Sequence, residues 1–186
     1  MKFLKKALKF LALLLLVLTI IYFLGPKANQ YPEFDGKINA IDIPLGQLDQ
    51  YIAEQESKVA NKKPNNHSRL IWADSIKKTE YAVVYLHGFS ASPMEGDPIH
   101  QEFASRYGYN LYIPRLAGHG IDSKESFVDL TPKALIESAK EAIAIGRLIG
   151  EKVILMSCST GSTLSCLLYT SPSPRDLSTS RMPSSA

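Results

Sequence analysis

The stretch YAVVYLH, residues 81–87, is a short and almost continuously apolar run in the middle of the chain. A strand that is apolar at nearly every position is typically buried on both faces, as in parallel sheets covered by helices. The same part of the sequence contains three more strand candidates: RLIWA, YNLYIP and KVILMS. Helical segments separate the strands YAVVYLH, YNLYIP and KVILMS. This alternation predicts an α/β domain with a mostly parallel sheet and helices on both faces.

Helix boundaries are marked by local signals. The segment PLGQLDQYIAEQES, residues 44–57, has the apolar spacing of an amphipathic helix. Asp97 and Pro98 form a good N-cap and first-turn pair, and Thr131 and Pro132 form another. We therefore expect helices to begin at both places, each ending before a glycine.

An uninterrupted apolar run from Phe10 to Leu24 follows four lysines at the start of the chain. This pattern is typical of a membrane helix whose basic end stays in the cytoplasm. We expect residues 1–25 to anchor the chain in the lipid bilayer as a single-pass helix, with the rest of the chain on the extracytoplasmic side. A signal peptide that is removed after secretion remains the alternative.

The charge of the chain is concentrated in this N-terminal segment. The formal net charge is +3, and four positive charges come from Lys2, Lys5, Lys6 and Lys9. The remainder therefore carries about −1, which argues against a nucleic-acid partner. After the anchor, we expect a linker over residues 26–40 and a partial globular domain over residues 41–165.

A candidate catalytic serine lies in MSCSTGS, where Ser159 follows a predicted strand and precedes a predicted helix. Ser157 and Gly161 stand two positions to either side, close to the Gly-x-Ser-x-Gly pattern of a nucleophile elbow. That turn is sharp, and it holds the serine in a strained conformation with its hydroxyl exposed. Ser157 departs from the pattern, and a strand followed by a Ser/Thr-rich helix cap is the alternative interpretation.

Two upstream motifs also follow predicted strands: HGFSASP at residues 87–93 and PRLAGHG at residues 114–120. The ends of parallel strands form the edge at which open α/β sheets bind ligands. In these three motifs, over roughly residues 70–165, the chain resembles the α/β-hydrolase superfamily, especially bacterial carboxylesterases and monoacylglycerol-lipase-like serine hydrolases. The resemblance implies the N-terminal half of an α/β-hydrolase fold. The transmembrane helix expected from the apolar run would precede it.

The resemblance also implies a role for each motif. Ser159 would be the nucleophile, and the backbone N–H groups of Phe89 and Thr160 would form an oxyanion hole for the tetrahedral intermediate. The family order of catalytic groups is Ser, then Asp or Glu, then His, whereas all four histidines of this chain precede Ser159. We therefore expect His87 and His119 to organise their loops, and we expect no cofactor and no metal.

The end of the sequence has an unusual composition. The segment CLLYTSPSPRD, residues 166–176, matches the translation of a transposase adapter used in sequencing libraries. We expect residues 166–186 to be a disordered, adapter-derived tail, with a natural Ser/Pro-rich tail as the alternative. Cys158, beside the candidate nucleophile, is predicted to be a small buried residue.

The implied function is hydrolysis of a small-molecule acyl ester through an acyl-serine intermediate by a membrane-anchored serine hydrolase. Short- to medium-chain esters or monoacylglycerols are the implied substrates. The chain itself would be an inactive fragment, because the catalytic acid and histidine are missing from it. A serine aminopeptidase or acyltransferase of the same fold remains open, as does a non-catalytic protein that uses this fold for binding.

Overall fold

The computed structural model describes residues 2–25 and 35–170. They belong to two units, one within residues 1–33 and one within residues 34–186. The first unit contains a single described helix, α1 (Lys2–Leu24), which is long and apolar enough over Phe3–Leu24 to span a membrane. A signal sequence has the same length and composition. Most of the predicted linker lies outside the described residues, and residues 35–40 contain no helix or strand.

The second unit is built on a four-stranded sheet with the order β1-β3-β2-β4. The strands are β1 (Arg69–Ile71), β2 (Thr79–Leu86), β3 (Asn110–Ile113) and β4 (Gly150–Ser157). The three strands β3, β2 and β4 are parallel, as the sequence predicts, whereas β1 runs antiparallel to β3. The sheet is therefore mixed. The short link from β1 to β2, residues 72–78, contains no crossover helix of the kind that joins parallel strands.

Helices cover both faces of this sheet. They are α2 (Leu48–Ser57), α3 (Ile99–Tyr107), α4 (Pro132–Ile149) and α5 (Thr160–Thr170). Residues from α2, α4 and α5 pack together in the larger core cluster, and α3 contributes to the smaller one. The architecture is α/β, with helices on both faces of the sheet, as the sequence predicts.

The central strand β2 supplies both clusters. Ala82, Val84 and Leu86 belong to the larger cluster, whereas Val83 and Tyr85 belong to the smaller one. Adjacent side chains of a strand point to opposite faces, so a strand covered on both sides must be apolar at every position. The prediction that YAVVYLH is buried on both faces is confirmed.

Of the two predicted helix caps, one is confirmed. Thr131 caps α4, since its hydroxyl accepts the N–H of Ala134 at 3.1 Å. The N-cap prediction for Asp97 is wrong, because Pro98 occupies the cap position of α3 and makes no side-chain cap bond. The carboxylate of Asp97 instead accepts a hydrogen bond from the side chain of Gln101.

The helix α5 continues past the predicted domain boundary at residue 165. It ends at Thr170, so residues 166–170 are helical where we expected a disordered tail. Leu164 and Leu168 are both buried, and their four-residue spacing places them on the same side of the helix. Proline first appears in this region at Pro172, so no helix breaker interrupts the described segment. Residues 171–186 lie outside the described part of the chain.

At the edge of the sheet opposite to the three motifs, a buried asparagine forms hydrogen bonds with the backbone of three other residues. The side-chain amide of Asn110 donates to the carbonyl oxygens of Lys77 and Ile149, at 2.8 Å each. Its side-chain oxygen accepts the N–H of Ala73 at 2.9 Å. Because Asn110 is fully buried, these backbone groups depend on it for their hydrogen bonds.

We expect Asn110→Ala to lower the free energy of unfolding by about 3 kcal/mol, because it leaves buried donors and acceptors without partners. Denaturant unfolding of the detergent-solubilised chain would measure the loss. Asn39→Ala is the matched control, since Asn39 is exposed. Equal stabilities of the two variants would contradict this role for Asn110.

Candidate functional site

The candidate nucleophile lies in a tight turn between a strand and a helix. Only Cys158 and Ser159 separate β4 from α5. Ser159 has a φ of 48°, in the left-handed region that non-glycine residues rarely adopt. Its carbonyl oxygen accepts the N–H groups of Ser162 and Thr163 at 2.9 and 3.1 Å, so α5 starts immediately after the turn. The residue is exposed. The strained conformation expected at this turn is present.

Steric crowding explains why residue 161 of the serine motif is a glycine. A Cβ atom on Gly161 would lie 2.0 Å from the carbonyl oxygen of Leu86, a distance that no side chain tolerates. The same oxygen accepts the N–H of Cys158 at 3.1 Å. The start of α5 therefore passes directly against the end of β2, and only glycine fits there. At the first glycine position of the Gly-x-Ser-x-Gly pattern, Ser157 is half-buried and pairs with Leu86.

The loop after β2 lies beside Ser159. The position that a Cβ would occupy on Gly88 is 3.4 Å from the Cβ of Ser159. The carbonyl oxygen of Gly88 accepts the N–H of Ala91 at 3.2 Å and lies 3.0 Å from Nδ1 of His87. This carbonyl and the N–H of Phe89 belong to one planar peptide group and point in opposite directions. Holding the oxygen therefore restrains the direction of the Phe89 N–H.

Two backbone donors stay open at this edge of the sheet. Within residues 35–170, no acceptor is found for the N–H of Phe89 or for the N–H of Thr160. Thr160 is the first residue of α5, where helix N–H groups lack internal partners and the helix dipole is positive. The structure thus brings together the loop of Phe89 and the turn of Ser159 and Thr160. Both N–H groups are therefore available to donate hydrogen bonds to an anionic ligand.

His87 links two of the three motifs. It is fully buried, and its Nε2 accepts the N–H of Leu116 at 3.1 Å. Nδ1 must then carry the proton, which it donates to the carbonyl of Gly88. Burial lowers the pKa of His87 from 6.5 to about 4, against the opposing effect of the Gly88 hydrogen bond. The neutral ring therefore joins the loop after β2 to the loop after β3.

His119 is also buried. Its Nδ1 lies 2.8 Å from the carbonyl oxygen of Ala117, and burial lowers its pKa. Its ring packs edge-on against His87, Phe89 and Phe127, with centroid distances of 4.9, 5.7 and 5.0 Å. In the described part of the chain, no hydrogen bond joins either histidine to the hydroxyl of Ser159. Both rings bind backbone and pack within their loops, as the sequence interpretation expects of them.

A buried ion pair that we did not predict supports the loop after β3. The Nε of Arg115 lies 3.2 Å from a carboxylate oxygen of Glu56, and its Nη1 donates to the carbonyl of His119. Burial would raise the pKa of Glu56, but hydrogen bonds from Ser68 and the charge of Arg115 outweigh it and lower the pKa. One sequence signal was available: Glu56 lies four residues after Ile52, on the buried face of α2.

The prediction that Cys158 is buried is wrong, because its side chain is exposed. Cys158 lies in the turn between β4 and α5, beside the equally exposed Ser159, and β4 forms one edge of the described sheet. Among the described residues, no group of three His, Cys, Asp or Glu side chains is arranged to hold a metal ion.

Comparisons with known proteins add no relatives to this picture. No protein-family model matches the chain, and no curated protein gives a significant match. The functional interpretation therefore depends on the motifs of the sequence and on the geometry around Ser159.

We expect stability to fall as the pH is lowered from 6.5 towards 4. In this interval the unfolded chain binds a proton at His87 that the folded chain does not, so acid favours unfolding. The shift corresponds to a loss of about 3 kcal/mol by the lower end of the interval. Unfolding free energies measured at several pH values would test this. A flat profile between pH 7 and pH 5, or ring protons of His87 that titrate near 6.5 in NMR spectra, would contradict it.

Proposed function

We propose that this chain carries the nucleophile and the oxyanion hole of a serine hydrolase with an α/β-hydrolase fold. The proposed reaction is hydrolysis of small acyl esters, as in carboxylesterases and monoacylglycerol lipases. One observation carries the proposal: Ser159 is held exposed at a positive φ, next to a loop whose Phe89 N–H has no acceptor among the described residues. Strained residues of this kind cluster at active sites.

In the proposed chemistry, the oxygen of Ser159 attacks the ester carbonyl and loses its proton to a base. The N–H groups of Phe89 and Thr160 donate to the negative oxygen of the tetrahedral intermediate. The C–O bond to the alcohol then breaks, the base returns the proton to the departing oxygen, and an acyl-serine remains. Water hydrolyses the acyl-serine to the acid and the free serine. Each donor to the oxyanion contributes about 3 kcal/mol to lowering the barrier in well-studied hydrolases.

The proposal requires a base that the described residues do not supply. His87 and His119 bind loop backbone, His100 is buried behind Tyr85, and His67 is exposed after α2. We place the catalytic acid and histidine in a continuation of the natural polypeptide, in the order that the family uses. On this view the 186-residue chain has no esterase activity of its own.

We expect the full-length protein to react covalently with a fluorophosphonate probe at Ser159. Ser159→Ala should abolish labelling, whereas Cys158→Ala should retain it, because the neighbouring thiol has no role in the reaction. Gel fluorescence and mass spectrometry of the labelled peptide would provide the measurement.

Other results would select other functions. Labelling that survives Ser159→Ala and disappears with Cys158→Ala would overturn the choice of nucleophile. Complete absence of labelling would favour the non-catalytic binding protein. Turnover of aminoacyl amides, or acyl transfer to an alcohol in place of water, would select the aminopeptidase or the acyltransferase.

We further propose that α1 anchors the protein in a membrane, with the catalytic domain on the extracytoplasmic side. The support is the length and apolar composition of Phe3–Leu24 together with the lysines at its start. A bilayer location would give an esterase direct access to lipid-derived esters.

We expect the chain to stay in the membrane fraction during carbonate extraction and to be protease-sensitive only from the extracytoplasmic side. Replacing Leu14 and Val17 with lysine should release it, because each charge at the helix centre costs about 3 kcal/mol on the insertion scale. Recovery of a soluble chain processed near residue 28 would instead identify a signal peptide.

A further inference from the structure

A carboxylate forms a hydrogen bond with the loop that contains Phe89. Glu95 belongs to a short 3-10 turn, Pro93–Gly96, which follows that loop. One oxygen of its side chain, Oε2, accepts the N–H of Gly88 at 2.8 Å and the hydroxyl of Tyr85 at 3.1 Å. The hydroxyl donor comes from β2, so the carboxylate links the loop to the central strand. The sequence interpretation assigned no role to this residue.

Glu95 and His87 hold the two peptide groups on either side of one glycine. Glu95 binds the N–H of Gly88, while His87 and Ala91 bind its carbonyl oxygen. When both flanking peptide planes are fixed, the φ and ψ angles of Gly88 are fixed as well. Glycine has the widest choice of these angles, so the loop depends on such external restraints.

We propose that Glu95 is a positioning residue for the Phe89 N–H. By accepting the N–H of Gly88, its carboxylate holds the peptide group before Gly88 and so sets the direction of the N–H that follows. The inference deepens the proposed function, on which its catalytic consequence rests. A hydrogen bond to a carboxylate is stronger than one to a neutral acceptor, which suits an exposed residue that must hold a loop against solvent.

The partner of Glu95 is suited to this role. Burial, followed by the hydrogen bond and charge of Glu95, raises the pKa of Tyr85, so the phenol remains a protonated donor. The Tyr85 ring is itself almost fully buried in the smaller core cluster. The carboxylate is thereby held by a side chain of the central strand, whose ring is packed in the core.

The first test needs no enzymatic activity and uses the 186-residue chain in detergent. Residual dipolar couplings in NMR report the direction of the Phe89 N–H. Glu95→Ala should change this direction and shift the Gly88 amide proton upfield. Glu95→Gln should leave the N–H direction and the Gly88 proton shift as they are in the unmodified chain, because a single amide oxygen can accept the two hydrogen bonds that Oε2 accepts. Glu102→Ala, an exposed carboxylate on α3, is the matched control and should change neither.

The second test measures catalysis in the full-length protein. Glu95→Ala should lower kcat and the rate of fluorophosphonate labelling by about tenfold to a hundredfold, with a smaller change in KM, because a misdirected donor acts mainly on the transition state. Glu95→Gln should keep most of the rate, and Glu102→Ala should keep all of it.

The outcomes separate the two proposals. Absence of labelling in the unmodified protein refutes the serine hydrolase, whereas labelling that Glu95→Ala leaves unchanged refutes the role of Glu95. An unchanged Phe89 N–H direction in Glu95→Ala refutes it as well. If that variant does not fold, Tyr85→Phe replaces it, since loss of the hydroxyl should move the same N–H vector by a smaller angle. An unmoved vector in Tyr85→Phe would equally overturn the inference.

Discussion

The parallel pairing of β2 with β4 determines where every part of the candidate site lies. In this register Leu86 is opposite Ser157, so the loop after β2 and the turn after β4 leave the sheet side by side. The Cys158 N–H extends the pairing by one bond to the carbonyl of Leu86. Because side chains alternate along a strand, a register shift of one residue would reverse the faces of β2 and separate Gly88 from Ser159. The two faces of β2 pack different side chains into the two core clusters, and this specific packing opposes such a shift.

Buried polar groups hold the loops that the sheet places together. A neutral histidine is suited to this task, since one ring nitrogen donates and the other accepts, and His87 uses both between two loops. The pair of Glu56 and Arg115 performs a similar task between α2 and the loop after β3. A buried ion pair contributes little net stability, but removing one partner leaves an uncompensated charge. Removing either partner of such a pair would therefore disturb the loop that the pair holds.

Local signals made much of the fold predictable. The apolar run of β2 and the cap at Thr131 depend on residues close in sequence, and both predictions were confirmed. Features that depend on distant residues were missed. The antiparallel direction of β1 and the exposure of Cys158 depend on strand pairing and tertiary packing, which sequence periodicity does not contain. Motif spacing located Ser159 and the loop of Phe89, but it could not reveal Glu95, whose contact with Gly88 depends on how the loop folds back.

The strain at Ser159 and the open N–H group of Thr160 have a common structural origin. A residue at positive φ costs about 1–3 kcal/mol, and it persists only where its surroundings leave no alternative. Here the carbonyl of Leu86 blocks any side chain at Gly161, and α5 begins at once, so the chain must turn within two residues. Within the described residues, the same abrupt start leaves the Thr160 N–H without an acceptor, beside a loop whose Gly88 peptide group is held by Glu95. The sharpness of one turn thus exposes the hydroxyl and creates one donor, while the neighbouring loop supplies the other.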